Sequence, residues 1–333
     1  MRRHSVLRAV RGRAGIEVVM QPFGYRAIAR QLGANVPLKL AARAYAVIGG
    51  VIGYYTDMVD HDLPTRLADF DRWITTRVLS PAATLHHEAT TLLAEDPSLT
   101  AASPTLHHSV LGAIANGSVT AGKIANRLRR SVSNLDPALK RLVAAGLVIR
   151  QEDPIRDQRP TYALADPFLQ FHYAILEPHG SLVRERDPRR LWRDRLSSIF
   201  DARVRGPVFE ELARTWVRRH AAPATLGGPA DRVGPSSVVI EGHPHELDLI
   251  VTSAEEPRAA DRVILAIGEA KAGETVGATR LRALEKARAA LGTRAAHARL
   301  LLFATAFADA LRKEVAGRQD VQLVDLERLY HGA

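Results

Sequence analysis

The sequence predicts an α+β protein of several domains, in which helices occupy the first part of the chain and strands alternate with helices in the last part. A chain of 333 residues is long enough for two or three domains at roughly 100 to 200 residues each. Its hydrophobic content of 46% is sufficient to fill their cores. Apolar residues recur every three or four positions up to about residue 220 and alternate from residue 236 onward, which indicates helices followed by strands.

The basic composition predicts a polyanionic partner. The formal net charge is +10 and the sequence pI is about 10.2. The field of such a chain attracts polyanions, of which nucleic acid is the commonest, so DNA is the expected partner. The chain contains no cysteine, which excludes disulfides and thiolate metal sites and makes a reducing cytoplasm the expected location.

No segment has the pattern of a membrane or export signal. The N-terminal stretch MRRHSVLRAVRGRAG is basic but lacks an apolar core followed by a cleavage site. The most apolar stretch, residues 41–55, contains Arg43 and is shorter than the ~20 residues that a spanning helix needs. The sequence therefore predicts no membrane partner.

Residues 1–95 are predicted to form a helical region. Three segments within it have apolar residues at helical spacing: FGYRAIARQLG, LKLAARAYAVIGGVIGYYTDMV and DFDRWITTRVL. Gly33 and Pro64 mark the breaks between these helices.

Residues 96–165 have the pattern of a winged helix-turn-helix, with two short helices, a third helix that ends at Gly146, and two short strands around a charged loop. Asp136 and Pro137 are placed as the N-cap and first-turn residues of the third helix.

Three basic side chains in or just after the third helix are the predicted DNA-binding residues of this region: Lys140, Arg141 and Arg150. The apolar residues Leu135, Leu139, Leu142 and Val143 occupy one face of the helix. Lys140 and Arg141 lie on a different face, where a phosphate backbone can reach them.

The segment GSVTAGKI, residues 117–124, matches the first part of a phosphate-binding loop but has Ile124 where that loop needs serine or threonine. It also follows a predicted helix, whereas a phosphate-binding loop follows a buried strand. We interpret the segment as the turn into the second helix of the winged region.

Residues 166–333 are predicted to form an α/β domain preceded by a helical linker. The linker ends in the amphipathic helix GPVFEELARTWVRRH. The strands SSVVIEGH, HELDLIVTS and RVILAIGEAK then follow, the last stopping at Gly273, and they lead into a helix, a strand, a helix and a strand.

The most informative motif in this domain is a Glu-x-Lys at the end of an apolar strand. Glu269 and Lys271 are two apart and share a strand face, as do Glu246 and Asp248 on the preceding strand. Neighbouring strands could thus bring Asp248, Glu269 and Lys271 together. Two carboxylates can hold Mg²⁺, and an ammonium can orient a water or stabilise developing negative charge.

Spacing alone leaves an alternative open, because a chain of this composition contains such a motif by chance. In that alternative, Glu269 and Lys271 form only a strand-end ion pair. His243 and His245 share a strand face beside Glu246, so a transition-metal site is a possible hypothesis. The interpretation that they are polar turn residues is favoured over it.

Seven segments of the chain, taken in order, resemble segments of one protein family. The segments are MQPFGYRAIARQLG, YAVIGGVIGYY, LKRLVAAGLVIRQEDP, YALADPFLQFHYAIL, GPVFEELAR, HELDLIV and IGEAK. They resemble the C-terminal portion of the archaeal-type DEXX-box AAA+ ATPase family, in which a motor domain precedes a winged helix and a restriction-endonuclease-like domain. The first two resemble that family's helical lid, and the next two its winged helix and the joint after it.

The last three segments resemble the acidic positions and lysine of PD-(D/E)xK nuclease-like folds. The resemblance implies that Glu210 is the acid on the first helix, that Asp248 and Glu269 are the metal ligands, and that Lys271 completes the catalytic set. It also implies Mg²⁺ as the cofactor. The expected fold is therefore a helical lid-like region, a winged helix-turn-helix and an α/β restriction-endonuclease-like domain.

The motor of that family, with its phosphate-binding loop, would precede residue 1, so we expect no ATP hydrolysis by this chain. The resemblance leaves three explanations open: a truncated gene product, a misplaced start codon, or a stand-alone remnant. Two classes of function remain open. The chain is either a DNA-binding, Mg²⁺-dependent nuclease, or a non-catalytic module that binds DNA, another protein or an ATPase partner.

Overall fold

A computed structural model of the protein describes residues 21–95, 104–254 and 258–333. Contacts divide the chain into two compact units. The helical unit contains the described residues up to Ile149 together with Tyr162–Val204, and the sheet unit contains Arg150–Thr161 and Arg205–Ala333. The beginning of the predicted lid-like region, residues 1–20, and the junction 96–103 lie outside the described residues.

The first part of the helical unit is helical, as the sequence predicts, but the predicted second helix is shorter than expected: it ends at Ile48, and a separate π-helix follows at Tyr54–Met58. Gly33 and Gly49 end the first two helices with positive φ angles of 110° and 73°. Gly50 must be glycine, since a Cβ there would lie 2.0 Å from the carbonyl oxygen of Phe23. The helices are α1 (Tyr25–Leu32), α2 (Leu38–Ile48), α3 (Phe70–Trp73, continued by a π turn at Ile74–Val78) and α4 (Thr84–Glu95).

The predicted winged-helix arrangement of three helices and two strands is confirmed. Its elements are α5 (Pro104–Ala115), α6 (Ala121–Leu128), α7 (Val132–Ala144), β1 (Val148–Gln151) and β2 (Thr161–Leu164). The strands β1 and β2 form a two-stranded sheet. Thr120 caps α6 by accepting a hydrogen bond from the N–H of Lys123 at 3.2 Å, so the GSVTAGKI segment is the turn into the second helix, as interpreted above.

The predicted start of the third helix is wrong. Helix α7 begins at Val132, and Ser131 is its N-cap, accepting a hydrogen bond from the N–H of Asn134 at 3.3 Å. Asp136 and Pro137 lie inside the helix. The serine hydroxyl satisfies an end N–H, and the single hydrogen bond that Pro137 cannot donate is the cost of continuing the helix through it.

Four short helices complete the helical unit. Aromatic side chains from this part pack with the first part: the ring of Phe70 lies 5.7 Å from that of Phe200 and 6.4 Å from that of Trp192. All three residues are almost fully buried. The helices are α8 (Pro167–Phe171), α9 (Glu177–Glu185), α10 (Pro188–Leu191) and α11 (Ser197–Phe200), with π turns at His172–Leu176, Trp192–Leu196 and Asp201–Arg205.

The sheet unit is built on a mixed five-stranded sheet in the order β3-β4-β5-β6-β7. The β3–β4 and β4–β5 pairs are antiparallel, whereas β5–β6 and β6–β7 are parallel. The elements are α12 (Gly206–Arg219), α13 (Pro223–Leu226), β3 (Arg232–Ile240), β4 (His243–Thr252), β5 (Ile264–Val276), α14 (Ala278–Ala290), β6 (Arg299–Phe307), α15 (Asp309–Glu314), β7 (Val321–Val324) and α16 (Leu326–His331). Together the two units make an α+β protein.

Both faces of this sheet are covered. Leu302 of β6 belongs to a core cluster with Leu281 and Leu284 of α14. Phe303, the next residue, points to the opposite face and meets Trp216 of α12 with ring centroids 5.6 Å apart.

Strand β5 does not stop at Gly273 as the sequence suggested. It continues to Val276, and its pairing with β6 shifts register between Lys271 and Thr275. A glycine can remain within a strand at such an irregularity.

The loop between β1 and β2, the wing, belongs to the sheet unit by its contacts. The Asp153 carboxylate, with 6% of its side chain exposed, accepts hydrogen bonds from Ser236 Oγ at 2.9 Å, Arg156 Nε at 2.9 Å and the N–H of Ile155 at 3.0 Å. Ile155 is part of the core cluster of the sheet unit. The charged loop of the sequence pattern is thus a structural part of the sheet unit.

Among the described residues, the helices are all too short or too polar to span a lipid bilayer.

The bonds of Asp153 give a first prediction. Asp153→Ala should destabilise the sheet unit by about 1.5–3 kcal/mol, because hydrogen bonds to a charged acceptor are lost and their donors remain partly buried. Urea unfolding followed by Trp216 fluorescence, after Trp73 and Trp192 have been replaced by phenylalanine, measures the change. The control Glu152→Ala alters an exposed neighbour and should change stability by less than about 0.5 kcal/mol. Equal effects of the two substitutions would contradict the structural role of Asp153.

Candidate functional site

An acidic cluster in the sheet unit is built by two adjacent strands. Asp248 lies on β4, and Glu269 and Lys271 lie on β5. Leu249, which follows Asp248, pairs with Gly268, which precedes Glu269. The N–H of Ala270 donates a hydrogen bond to Asp248 Oδ2 at 2.9 Å. The structure therefore brings together the three residues that the sequence placed on matching strand faces.

Lys271 joins the two carboxylates. Its Nζ lies 3.2 Å from Asp248 Oδ2 and 2.9 Å from Glu269 Oε1. Both acidic side chains are 14% exposed, and the lysine side chain is 27% exposed. Burial alone would lower the pKa of Lys271, but the charges of Asp248 and Glu269 outweigh it and raise that pKa above its usual value.

Glu210 of α12 is the third acid of the cluster. Burial, together with the negative charge of Asp248, raises the pKa of Glu210 from 4.5 to about 7, although Arg214 and Lys271 act in the opposite direction. Its carboxylate lies 4.0 Å from Arg214 Nη1. Near neutral pH, Glu210 is therefore partly protonated.

The neighbouring Glu211 has a different environment. Its Oε2 accepts hydrogen bonds from Arg214 Nε at 2.9 Å and from Gln151 Nε2 at 3.0 Å, and its Oε1 accepts one from Arg218 Nη1 at 2.8 Å. Burial would raise the pKa of Glu211, but the two arginines lower it below its usual value. Glu211 is held by three donors, whereas the charge of Asp248 acts on Glu210.

Two arginines at the cluster were missed by the sequence analysis. Arg214, whose side chain is 7% exposed, donates to the main-chain oxygen of Asp248 at 2.8 Å. Arg280 of α14 lies 3.4 Å from Glu269 Oε1 and 2.9 Å from Glu274 Oε1. The four-residue spacing of Glu210 and Arg214 on one helix could have indicated that Arg214 lies near Glu210. Arg280 lies on a later element, and no pattern in the sequence links it to Glu269.

Asp248 and Glu269 supply two carboxylates of the kind that bind Mg²⁺ in proteins. Mg²⁺ is usually held by one or two carboxylates, with waters and substrate phosphates completing its octahedron. Asp248 and Glu269 already share one cation, the Lys271 ammonium, and the charge of Asp248 raises the pKa of Glu210. In the part of the chain that the structure describes, no three His, Asp or Glu side chains are grouped to hold a metal. The hypothetical transition-metal site at His243 and His245 is therefore also not found among the described residues.

The predicted nucleic-acid residues are exposed, but two of them have acidic partners. Lys140 Nζ lies 2.6 Å from Asp136 Oδ2, and these side chains are 76% and 50% exposed. Arg150 lies on β1 and pairs with Glu152. Arg141 is exposed on α7. All three can reach solvent, and Arg141 has no competing carboxylate among the described ion pairs.

Arg129 and Arg130, immediately before α7, are further exposed basic residues that the sequence analysis did not select. Arg129 ends α6 in a left-handed conformation with φ of 52°. Because the N-terminal residues of the recognition helix in a helix-turn-helix approach the base edges, these arginines and the N-terminal turn of α7 are also candidate contacts.

The comparisons with known proteins identify the region that carries these basic residues. The MarR family matches residues 101–159. The chain contains a MarR-type winged helix. Over 85 residues the chain is also 32% identical to the "Uncharacterized protein MJECL04" of Methanocaldococcus jannaschii, which corresponds to 25% of this chain and 19% of that protein. The chain thus matches about a fifth of that relative's length, and no solved structure matches it.

The environment of Glu210 predicts a pH-dependent stability. Its pKa is raised from 4.5 to about 7, so the folded chain binds this proton more tightly than the unfolded chain does. The contribution of Glu210 is fully present below pH 4.5 and is lost as the pH rises through about 7. We expect Glu210→Gln to gain stability over the wild type at pH 8 and much less at pH 5, as measured by urea unfolding.

Glu211→Gln is the matched control, because the pKa of Glu211 is lowered. Its ionised form stabilises the fold, so this variant should lose stability at pH 8 and lose less as the pH falls below the usual glutamate range. If both glutamine variants respond to pH in the same direction, the distinction between the two acids is wrong.

Proposed function

We propose that the protein binds DNA and that its sheet unit hydrolyses phosphodiester bonds with Mg²⁺. The observation that carries this proposal is the convergence of Asp248, Glu269 and Lys271, in which one ammonium lies 3.2 Å and 2.9 Å from two largely buried carboxylates. Two carboxylates and a lysine on adjacent strands are the groups that a metal-assisted hydrolysis needs. The resemblance to PD-(D/E)xK folds supports the same assignment.

Each side chain has a role that follows from its charge and position. Asp248 and Glu269 would hold the Mg²⁺ through their oxygens, and the bound ion would lower the pKa of a water and polarise a phosphodiester oxygen. Lys271, already beside both carboxylates, orients the attacking water or stabilises the negative charge that develops on the phosphate. Glu210, with a pKa near neutrality, can accept a proton.

DNA binding is supported by the MarR-type winged helix. In helix-turn-helix proteins the recognition helix lies in the major groove, and basic side chains around it bind phosphates. On this chain, α7 carries Lys140 and Arg141 on its exposed surface, and Arg129 and Arg130 precede it. The net charge of +10 adds a general attraction for polyanions.

A second candidate function is a non-catalytic module that binds DNA, another protein or an ATPase partner. Lys271 neutralises Asp248 and Glu269 directly, so the described cluster is also a stable arrangement without a metal. The resemblance to ATPase C-terminal regions favours a protein partner in this case. Cleavage assays separate the two functions.

Substitutions in the acidic cluster test the catalytic proposal. Asp248→Asn and Glu269→Gln should abolish Mg²⁺- or Mn²⁺-dependent cleavage, because the ion loses a ligand. Lys271→Ala should keep metal binding and lower the rate by about 10²–10³, the usual effect of removing one transition-state donor. Lys271→Arg should not restore it, because a planar guanidinium cannot replace a compact ammonium. The assays should cover single-stranded, double-stranded and branched DNA.

Glu241→Gln, at the exposed tip between β3 and β4, removes one negative charge and is the control for these variants. It should leave cleavage unchanged. If the wild type cleaves none of these substrates with either metal, the catalytic proposal fails and the non-catalytic function is favoured.

The salt dependence of DNA affinity tests the winged helix. Arg141→Ala should flatten the log–log salt slope by about 0.9, the value for one phosphate contact. Lys140→Ala should have the same effect or a smaller one, since Asp136 competes with phosphate for this lysine, and Asp136→Ala should strengthen binding. Arg189→Ala, on exposed α10, is the control of equal charge change. A slope that responds to Arg189 as much as to Arg141 would show that α7 is not the contact surface.

A further inference from the structure

A chain of hydrogen bonds within the sheet unit leads from the wing to Asp248. Gln151, the last residue of wing strand β1, donates from Nε2 to Glu211 Oε2 at 3.0 Å. The same oxygen accepts from Arg214 Nε at 2.9 Å. Arg214 Nη1 then donates to the main-chain oxygen of Asp248 at 2.8 Å.

Arg214 is suited to hold Asp248 in place. The residue is almost fully buried. One nitrogen of its planar guanidinium donates to Glu211 and another donates to Asp248, and these two bonds fix the orientation of the side chain. Its bond is to the main chain of Asp248, so the carboxylate stays available to Ala270 and Lys271. A shift of Arg214 would move the backbone of Asp248 and the carboxylate with it.

The position of Gln151 depends on the wing. The loop that follows Gln151 is anchored in the sheet unit by the buried carboxylate of Asp153 and the buried side chain of Ile155. Gln151 is therefore held at a fixed end of the bonded chain. Arg218 contributes on the other side by donating to Glu211 Oε1 at 2.8 Å, but it is not bonded to Asp248 in the described contacts.

We propose that Arg214 is a positioning residue of the cleavage site and that Gln151, through Glu211, sets the position of Arg214. The expected effect on DNA cleavage rests on the proposed function. Groups that orient metal ligands from behind typically change metal affinity or activity by 10- to 100-fold when they are altered. The wing strand thereby contributes to the geometry of the acidic cluster.

The amide of Ala270 gives a direct measurement, because it donates to the Asp248 carboxylate. In ¹⁵N-labelled full-length protein, Gln151→Glu replaces the donor to Glu211 with a repelling carboxylate of the same size. We expect the Ala270 amide resonance to shift in this variant. Gln158→Glu, at an exposed position of the same wing, makes the same charge change and should leave that resonance where it is.

Metal affinity is the second measurement. Mn²⁺ binding, followed by electron paramagnetic resonance of the free ion without DNA, should weaken about tenfold in Gln151→Glu and about 10- to 100-fold in Arg214→Lys. Lysine keeps the charge of Arg214 but cannot donate to Glu211 and Asp248 in the same fork geometry. Arg159→Ala removes an exposed arginine of the same wing and should leave Mn²⁺ binding unchanged.

The outcomes separate this inference from the proposed function. If Gln151→Glu leaves both the Ala270 resonance and the Mn²⁺ affinity unchanged, or if Gln158→Glu alters them equally, the inference is wrong even when the wild type cleaves DNA. If the wild type neither binds Mn²⁺ nor cleaves DNA, the proposed function fails, and the Ala270 resonance alone decides whether the bonded chain positions Asp248. If the buried substitution Arg214→Lys prevents folding, Gln151→Glu, at a half-buried position, carries the test by itself.

Discussion

The pairing of β4 with β5 is the constraint on which the acidic cluster depends. Antiparallel pairing brings residues of different strands to contact distance through main-chain hydrogen bonds. Here the N–H of Ala270 also binds the Asp248 carboxylate at 2.9 Å, so the backbone of one strand orients an acid of the other. A register slip of one residue would place Lys271 where the buried Ala270 now lies. The packed core of the sheet disfavours this slip, because it would bury the charged lysine side chain.

The sequence contained enough information to predict the strands and the strand-borne residues of the cluster. Their signal is local: Glu269 and Lys271 share a face because they are two apart, and Asp248 lies on the preceding strand of the chain. The helix-borne acid was harder to identify, because Glu210 and Glu211 are adjacent and both partly exposed. Their difference arises from Gln151, Arg214 and Arg218, whose joint placement depends on tertiary contacts.

Two other features show why local patterns were insufficient. Asp136 followed by Pro137 is a frequent beginning of a helix, but Ser131 caps α7 one and a half turns earlier, and the proline is accommodated inside. The charged loop between β1 and β2 has the composition of an exposed wing, yet Asp153 is buried and accepts a hydrogen bond from Ser236, which is far away in the sequence. Ser131 is itself a local N-cap signal that was passed over in favour of Asp136, whereas the contact between Asp153 and Ser236 leaves no trace in the local periodicity.

The placement of the wing also bears on how this protein can be divided. The sheet unit takes residues Arg150–Thr161 from within the winged helix and resumes only at Arg205, so it is discontinuous along the chain. A gene fragment that begins at residue 205 would encode the strands without Ile155 of their core and without the carboxylate that Ser236 binds. Recombination that exchanged the winged helix alone would remove part of the neighbouring unit with it. The two modules are therefore expected to be inherited, transferred and engineered as a single piece.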